Sequence, residues 1–259
     1  MAINGLCSND DFTANACKHC APMFIIQQHI NMAPTANDPS ATLTFIRFRG
    51  RTFGVTCKHV VESLRSYIKE SGNQFSHTFF IALKNHHIVQ DRFVIPAGDW
   101  ITPEPDIAIR ELHPEFPECV GKSALDIEAC VVPRLSEVVY AIAVGFPDRM
   151  KEQIQEGLGY RLSMPCVHAV AANRSDQGHS FSLFSELEST PAIRDFSGLS
   201  GGPIYWSNES NYGLLGITYE SSPLEDTLAG GAAIHIKGHL ADIATIESWA
   251  SQVPRLYTL

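Results

Sequence analysis

The feature that most constrains the fold of this chain is a long succession of short, strand-like segments. They are rich in β-branched and aromatic residues, and several alternate between apolar and polar positions, as half-buried strands do. Two other stretches, at 60–68 and 240–250, instead place apolar residues at helical spacing. Many short strands and two helices predict an all-β protein. Strands are predicted at 24–30, 41–49, 52–57, 78–83, 87–95, 106–112, 129–132, 138–144, 165–171, 180–187, 203–206, 213–219 and 231–236.

A connector divides this series of strands into two parts. Residues 113–127 begin with a Pro-rich stretch and interrupt the strand pattern. The two parts, 21–120 and 121–259, each have about the hundred or so residues that are common for one domain. We therefore predict two β-domains, preceded by a polar tail at 1–20.

The charge of the chain argues against several classes of partner. It has 259 residues, of which 44% are hydrophobic, enough for a substantial core, and its formal net charge is −9. Nucleic acids and anionic membranes are bound by clustered Lys and Arg, so we expect neither as a partner. No apolar run approaches the roughly 18 residues of a spanning helix. The first residues also lack the positive charge and apolar core of a secretory signal, which favours a cytoplasmic protein.

The cysteines point to a reducing compartment rather than to a disulfide framework. There are seven, an odd number, and they are scattered along the chain. Cys7, Cys17, His19 and Cys20 in the tail could ligate zinc, since thiolates and imidazole suit that ion. No second pair at matching spacing completes such a site, so we expect no metal and interpret the tail as disordered or loosely docked.

The segment Phe196–Pro203 carries the strongest signal of chemistry. Ser200 lies two residues after Gly198 and directly before Gly201 and Gly202. Glycines allow unusual backbone conformations and close approach of another chain. A nucleophilic serine needs this freedom, because nearby N–H groups must point at the oxygen of a bound carbonyl. The motif alone is also compatible with a tight turn that has no chemistry.

A nucleophilic serine needs a base and an orienting acid. Among the eleven histidines, His59 stands where a predicted strand ends and a predicted helix begins, so a rigid junction could hold its ring. Asp106 opens the apolar strand Asp-Ile-Ala-Ile after a Pro-rich stretch. A carboxylate at such a position is half-buried, which is costly unless it is paired. His59 and Asp106 are therefore the candidate base and acid.

The order His59, Asp106, Ser200, with separations of 47 and 94 residues, resembles that of the chymotrypsin-like serine peptidases. The local segments Val55–Val61, Asp106–Ile109 and Gly198–Pro203 are similar to that family as well. Gly213–Tyr219 resembles the strand that lines its substrate groove, and the final helix with Trp249 resembles its C-terminal helix. The resemblance covers roughly residues 22–253. It implies two six-stranded antiparallel β-barrels, the first carrying His59 and Asp106 and the second Ser200.

The same resemblance implies a trypsin-like serine endopeptidase, a hydrolase, with a catalytic triad. Ser200 would attack the scissile carbonyl, His59 would move the proton, and Asp106 would orient the imidazole. The backbone N–H groups of Gly198 and Ser200 would form the oxyanion hole. An extended protein or peptide substrate would pair with the edge formed by Thr218, Tyr219, Glu220 and Ser221. No cofactor is required.

Three departures from the family pattern refine this expectation. Leu199 precedes the serine where cleavage-activated relatives have Asp, so we expect activity without N-terminal cleavage, or control by a regulatory protein partner. Cys57 lies two residues before the histidine and the family's disulfides have no counterparts, which resembles intracellular, bacterial-type members. Arg194 falls at the pocket floor, which favours an acidic or apolar P1 residue; a slip of one residue would place Asp195 there and reverse that preference.

Two rival interpretations stay open at this stage. Gly198–Gly202 also fits the nucleophile elbow of α/β-hydrolase esterases, with Asp226 and either His235 or His239 downstream. That elbow joins a strand to a helix, whereas Pro203 is followed here by a strand-like segment. The second rival is a catalytically silent peptidase fold that binds a peptide or partner, although such modules usually lack a member of the triad.

Overall fold

A computed structural model gives the fold of most of the chain. The described residues are 17–25, 36, 38–71, 78–82, 86–97, 104–130, 138, 140–156, 159–163, 167–171, 173–187, 197–207, 212–226 and 232–257. Strands dominate them, and the three α-helices are short. None of these helices combines the length and apolarity needed to cross a membrane.

Almost every secondary-structure element is a β-strand. The strands are β1 (Cys20–Ile25), β2 (Ser40–Phe48), β3 (Arg51–Thr56), β4 (Thr78–Ala82), β5 (His86–Gln90), β6 (Ala108–Leu112), β7 (Leu125–Asp126), β8 (Tyr140–Gly145), β9 (Glu152–Glu156), β10 (Gly159–Ser163), β11 (Val167–Ala171), β12 (Asn173–Gln177), β13 (Ser180–Leu187), β14 (Pro203–Ser207), β15 (Tyr212–Asp226) and β16 (Ala232–Leu240). The helices are α1 (Lys58–Ser71), α2 (Phe116–Cys119) and α3 (Ile243–Ser251), and 3₁₀ turns lie at Cys17–His19 and Asp148–Met150.

The strands form two large sheets, one from each half of the chain. In the first, the order β5-β4-β1-β2-β3-β6 is antiparallel throughout, and β7 adds a short parallel pairing at Ile46 and Arg47 of β2. In the second, β11-β8-β14-β15-β16-β13-β12 is also antiparallel. Strands β9 and β10 form a separate hairpin. The predicted all-β class is therefore confirmed.

Three apolar clusters hold these layers together. One lies inside the first sheet, where Leu43 and Phe45 of β2 meet helix α1. A second lies inside the second sheet and includes Trp206. The third combines residues of both sheets, such as Ile46 and Ile142, with helix α3. The β2 strand contributes to two clusters because its alternate side chains point to opposite faces and both faces are buried.

Each of the two longer helices is set by an apolar stripe. In α1, Val60, Val61 and Leu64 are buried while the intervening positions are exposed, as the predicted helical spacing requires. Helix α3 begins at an N-cap, since the Asp242 carboxylate accepts a hydrogen bond of 2.8 Å from the Thr245 N–H. Its Trp249 is 1% exposed in the cluster shared by the two sheets.

Several predicted boundaries are wrong. Strands β9, β10 and β12 were not predicted, and Ala129 and Cys130 lie in a turn rather than a strand. Strand β1 begins at Cys20, whose side chain is fully buried, so the polar tail must end before residue 20. The connector carries helix α2 and strand β7. Residues 1–16, including Cys7, lie outside the described part of the chain.

We expect Trp249→Ala to lower the free energy of unfolding by about 3–5 kcal/mol, because it removes a large buried side chain and leaves a cavity. Ile243→Ala, in the same helix at a 37% exposed position, is the matched control and should cost less than about 1 kcal/mol. Urea unfolding followed by tryptophan-independent far-UV circular dichroism measures both. Equal losses would mean that α3 does not stabilise the contact between the sheets.

Candidate active site

Asp106 binds His59 through both of its carboxylate oxygens. Oδ2 lies 2.5 Å from the ring Nδ1, and Oδ1 accepts a hydrogen bond of 2.9 Å from the His59 backbone N–H. His59 is the second residue of α1, so the carboxylate also lies at the positive end of that helix, where an anion is stabilised. The structure thus brings together the predicted base and acid, with the imidazole side chain 49% exposed and the carboxylate 26% exposed.

The electrostatics of this pair favour an ionised carboxylate. Burial is the largest single influence on Asp106 and would raise its pKa. The hydrogen bonds that Asp106 accepts from the ring and backbone of His59, followed by the charge of the His59 ring when it is protonated, outweigh burial and leave the pKa of Asp106 below its usual value. A carboxylate that stays charged can hold the His59 Nδ1–H and leave the opposite ring nitrogen free to accept a proton.

A second histidine supports Asp106 from the other sheet. The Asp106 backbone N–H donates to Nε2 of His239 at 2.8 Å, and the His239 ring stacks on Tyr219 at a centroid distance of 4.2 Å. Because Nε2 accepts this bond, the ring is neutral and carries its proton on Nδ1. Burial lowers the pKa of His239 to about 4, although the charge of Asp106 opposes the shift.

Cys57 lies beside this cluster as a buried thiol. Its Sγ donates to the carbonyl of Thr218 at 3.1 Å. Burial, and secondarily the charge of Asp106, raises the pKa of Cys57 well above that of a free thiol, so it stays protonated and unreactive. The five cysteines in the described residues are all free thiols: Cys17, Cys20, Cys57, Cys119 and Cys130.

Two glycines with positive φ shape the turn that carries Ser200. Gly198 has φ +98° and Gly201 has φ +86°, values that L-residues with side chains rarely adopt. A Cβ on Gly198 would lie 2.5 Å from the carbonyl oxygen of Phe146, and one on Gly201 would lie 2.2 Å from that of Thr42. Conformation and space therefore both require glycine on each side of the serine, as the sequence motif indicates.

Every carbonyl oxygen of the segment 197–202 accepts a hydrogen bond from the surrounding fold. Thr42 binds two of them, with its side-chain hydroxyl on Gly198 and its backbone N–H on Ser200. The remaining bonds run as follows: the Asp148 N–H to Ser197, the Gly202 N–H to Leu199, the Thr44 hydroxyl to Gly201 and the Thr218 N–H to Gly202. The turn is consequently fixed on its carbonyl side.

Only some of the N–H groups of the same turn are bound within the described residues. Gly201 and Gly202 donate within the protein, to Thr218 and Leu199. For the N–H groups of Gly198, Leu199 and Ser200, by contrast, the described residues supply no acceptor. Three consecutive N–H groups are thus unbound within the described residues, in a turn whose carbonyl oxygens are all bound.

The turn at residues 197–202, which we call the serine turn, lies against strand β3, the strand that leads to His59. Thr56, at the end of β3, has its Cα 2.9 Å from the position of a Cβ on Gly201. The Thr218 carbonyl accepts from both Cys57 Sγ and the Gly201 N–H, which joins the two segments. Ser200 itself is half-buried, and no hydrogen bond joins its hydroxyl to His59 in the part of the chain described. Such bonds are often long in unliganded sites.

The predicted substrate-binding residues have mixed surroundings. Thr218 is fully buried, and its N–H and carbonyl are both bound to the serine turn. Tyr219 covers His239, Glu220 forms a 2.8 Å ion pair with Lys237 of β16, and Ser221 is half-buried. Beyond Ile217, β15 has no described partner on its β14 side. The predicted pocket residues Arg194 and Asp195 lie outside the described residues.

One group of side chains has metal-ligating atoms close together. Sγ of Cys57, a ring nitrogen of His59 and a carboxylate oxygen of Asp106 lie within 4.8 Å of one another, the one such group in the described ranges. These atoms already form hydrogen bonds: Cys57 Sγ donates to the Thr218 carbonyl, and His59 Nδ1 bonds to Asp106 Oδ2. In the segment predicted to be a polar tail, Nδ1 of His19 lies 2.9 Å from the Ser123 carbonyl oxygen, and Cys20 is buried in the core.

The nucleophile-elbow interpretation of Gly198–Gly202 is wrong. An elbow serine leaves a strand and enters a helix in a largely parallel sheet, whereas Ser200 is followed by strand β14 of an antiparallel sheet. Asp226 and His235 lie on strands β15 and β16. His239, the other histidine considered for that role, instead supports Asp106.

Sequence analysis missed two residues that shape the site, His239 and Thr42. Both act across large separations along the chain, 133 residues for His239 to Asp106 and 156 for Thr42 to Gly198. His239 carried a weak signal, because it is a histidine near the end of an apolar strand. Thr42 carried none, since an alternating strand gives no reason to single out one threonine.

No protein-family model matches the chain, and no curated protein sequence matches it either.

The low pKa of His239 predicts acid sensitivity. The unfolded chain takes up a proton on this histidine as the pH falls below about 6.5, whereas the folded chain does so only near 4. Its contribution to stability is therefore present above pH 6.5 and declines toward pH 4, by about 2 to 3 kcal/mol at pH 4.5. In His239→Gln, which cannot titrate, the free energy of unfolding should fall less steeply over this range.

Urea unfolding at intervals between pH 7.5 and 4.5 measures this difference. His113→Gln, at an exposed histidine, is the matched control and should follow the unmodified chain. Parallel pH profiles for His239→Gln and the unmodified chain would contradict the buried, neutral state of His239.

Proposed function

We propose that this protein is a serine endopeptidase that hydrolyses peptide bonds with Ser200, His59 and Asp106. The observation that carries the proposal is the double hydrogen bond of the Asp106 carboxylate to the ring and backbone of His59. It holds one imidazole tautomer beside a turn in which a serine lies between glycines of positive φ. This combination is what acyl transfer by a serine hydroxyl requires.

In the acylation step, Ser200 Oγ attacks the carbonyl carbon of the substrate while His59 Nε2 takes the hydroxyl proton. The carbonyl π electrons move to oxygen, and the resulting oxyanion accepts hydrogen bonds from the N–H groups of Gly198 and Ser200. Collapse of this intermediate breaks the C–N bond, and His59 gives its proton to the leaving nitrogen. An ester of Ser200 and a free amine result.

In the deacylation step, water attacks the ester carbonyl and His59 takes a proton from it. The second tetrahedral intermediate uses the same two N–H donors. Its collapse returns the proton to Ser200 Oγ and releases a carboxylic acid. Throughout both steps, Asp106 stabilises the imidazolium of His59 by charge, and no metal or cofactor takes part.

The sheet connectivity supports a two-barrel arrangement. In the first sheet, β6 at one end forms a bridge between Ile109 and Val94, and Val94 follows closely after β5, the strand at the other end. In the second sheet, the end strands β11 and β12 are separated in sequence by a single residue. Both sheets must therefore curl strongly, and we infer that each closes as a barrel, with the site in the cleft between them.

The side of β15 that has no described partner beyond Thr218 supports a peptide as substrate. An extended peptide can add a strand to an exposed edge, where main-chain hydrogen bonds give affinity. Because both backbone groups of Thr218 are bound to the serine turn, we assign this pairing to Tyr219, Glu220 and Ser221. The free thiols of the described cysteines agree with a reducing, cytoplasmic setting, and control by a protein partner remains part of the proposal.

Labelling with a fluorophosphonate tests the reaction directly, because this reagent esterifies an activated serine. The unmodified chain should be labelled, Ser200→Ala should not, and His59→Ala should label at a background rate. Asp106→Asn should slow labelling by roughly 10⁴-fold, since an uncharged amide favours the wrong imidazole tautomer. Mass spectrometry of the labelled peptide identifies the modified serine.

Ser251→Ala and His113→Gln, both at exposed positions outside the candidate site, are the matched controls and should label normally. A folded chain that resists labelling would overturn the peptidase proposal and favour the second candidate, a peptidase-like fold that binds a peptide without cutting it. Binding of peptides along β15 would then persist in Ser200→Ala.

The P1 preference is a separate proposal, which depends on Arg194. If this cation lies at the floor of the pocket, acidic or apolar side chains should be accepted at P1 and Lys or Arg repelled. Cleavage of a peptide panel that varies only at P1 measures the preference, and Arg194→Ala should weaken it. Rapid cleavage after Lys or Arg would instead indicate Asp195 as the pocket residue.

A further inference from the structure

An almost completely buried lysine lies near the serine turn without any part in the proposed chemistry. The Lys151 side chain is 2% exposed, and its Nζ lies 5.9 Å from the centre of the Phe24 ring. Burying an ammonium group costs several kcal/mol unless it is paired. Lys151 is paired on two sides: it donates to the Asp38 carbonyl and lies 2.6 Å from Oδ1 of Asp148.

Asp148 is the centre of this cluster. Besides Lys151, its Oδ1 accepts hydrogen bonds from the backbone N–H and the hydroxyl of Ser40, at 3.0 and 2.6 Å. Ser40 begins β2 of the first sheet, whereas Asp148 begins the 3₁₀ turn after β8 of the second. Three donors on one carboxylate oxygen fix the backbone of Asp148 relative to both sheets.

The backbone of Asp148 in turn fixes one peptide group of the serine turn. Its N–H donates to the Ser197 carbonyl at 2.6 Å, and Gly198 packs so closely that a Cβ there would lie 2.7 Å from the Asp148 nitrogen. In a planar trans peptide the carbonyl and the N–H point in opposite directions. Holding the Ser197 carbonyl toward Asp148 therefore turns the Gly198 N–H away from it, and that N–H is one of the donors without an acceptor among the described residues.

We propose that Lys151 is a positioning residue that, through Asp148, keeps the peptide between Ser197 and Gly198 in the orientation that presents an oxyanion donor. This inference rests on the proposed peptidase function and adds how the site is regulated. The cation that orders the turn comes from within the chain, so the oxyanion hole is assembled without an N-terminus released by cleavage. Leu199, which cannot form an ion pair, is then compatible with an active site.

Fluorophosphonate labelling of the full chain, with no proteolytic treatment, tests this inference. In Lys151→Met the peptide loses its support, and removal of an oxyanion donor lowers rates by about 10²–10³-fold. We expect at least a tenfold fall in the limiting labelling rate, with little change in the reagent concentration for half-saturation. Arg149→Met removes an exposed cation from the same turn, and it should label as the unmodified chain does.

A milder variant covers the case in which Lys151→Met does not fold. Ser40→Ala removes one donor from Asp148 and should lower the limiting rate by a smaller factor in the same direction. Equal limiting rates for the unmodified chain and for whichever of these two variants folds would overturn the role of Lys151. Labelling only after removal of N-terminal residues would also overturn it.

Crystal structures of the unmodified chain and Lys151→Met separate this inference from the proposed function. If neither is labelled, the peptidase proposal fails, but the structures still decide the positioning role. A Ser197 carbonyl that leaves Asp148 in Lys151→Met supports it. An unchanged bond between the Asp148 N–H and the Ser197 carbonyl contradicts it, whatever the labelling result.

Discussion

The half-buried carboxylate of Asp106 is the interaction on which the candidate site depends. Its oxygens bind the ring and backbone of His59 at the start of α1, and its own N–H binds His239 of β16. One residue thus joins the first sheet, the helix and the second sheet. A charge in this position is stable only with all its partners in place, so the geometry of the base is coupled to the packing of the two halves.

In the serine turn, the fold binds every carbonyl oxygen but leaves several N–H groups without an acceptor among the described residues. All carbonyls from Ser197 to Gly202 are bound, chiefly by two threonines of β2 and by β15, while the N–H groups of Gly198 and Ser200 have no acceptor among the described residues. Leaving a donor unpaired costs free energy, about 1–3 kcal/mol when it is buried. The fold therefore fixes this turn through its carbonyl groups, whereas part of its donor side has no acceptor among the described residues.

The sequence predicted the strand-rich class, the two longer helices and the pairing of His59 with Asp106, because each leaves a local pattern. It failed for β9, β10 and β12, whose segments Glu152–Glu156, Gly159–Ser163 and Asn173–Gln177 are mostly polar and lack clear alternation. It also failed for His239 and Thr42, whose hydrogen bonds join residues 133 and 156 positions apart. Composition and periodicity carry no record of contacts over such separations.

The ion pair between the buried Lys151 ammonium and the partly exposed Asp148 carboxylate has a consequence for the geometry of the serine turn. Such a pair contributes little net stability, since desolvation of the lysine offsets the attraction of the charges. The pair instead fixes the geometry of the turn. Any conformation of the turn that separates the two groups leaves a charge unpaired, which costs free energy. The 3₁₀ turn at Asp148–Met150 is thereby locked against Ser40 and the serine turn at once. The order of the serine turn is therefore coupled to the packing of the two sheets, because Ser40 belongs to the first sheet and Asp148 follows a strand of the second.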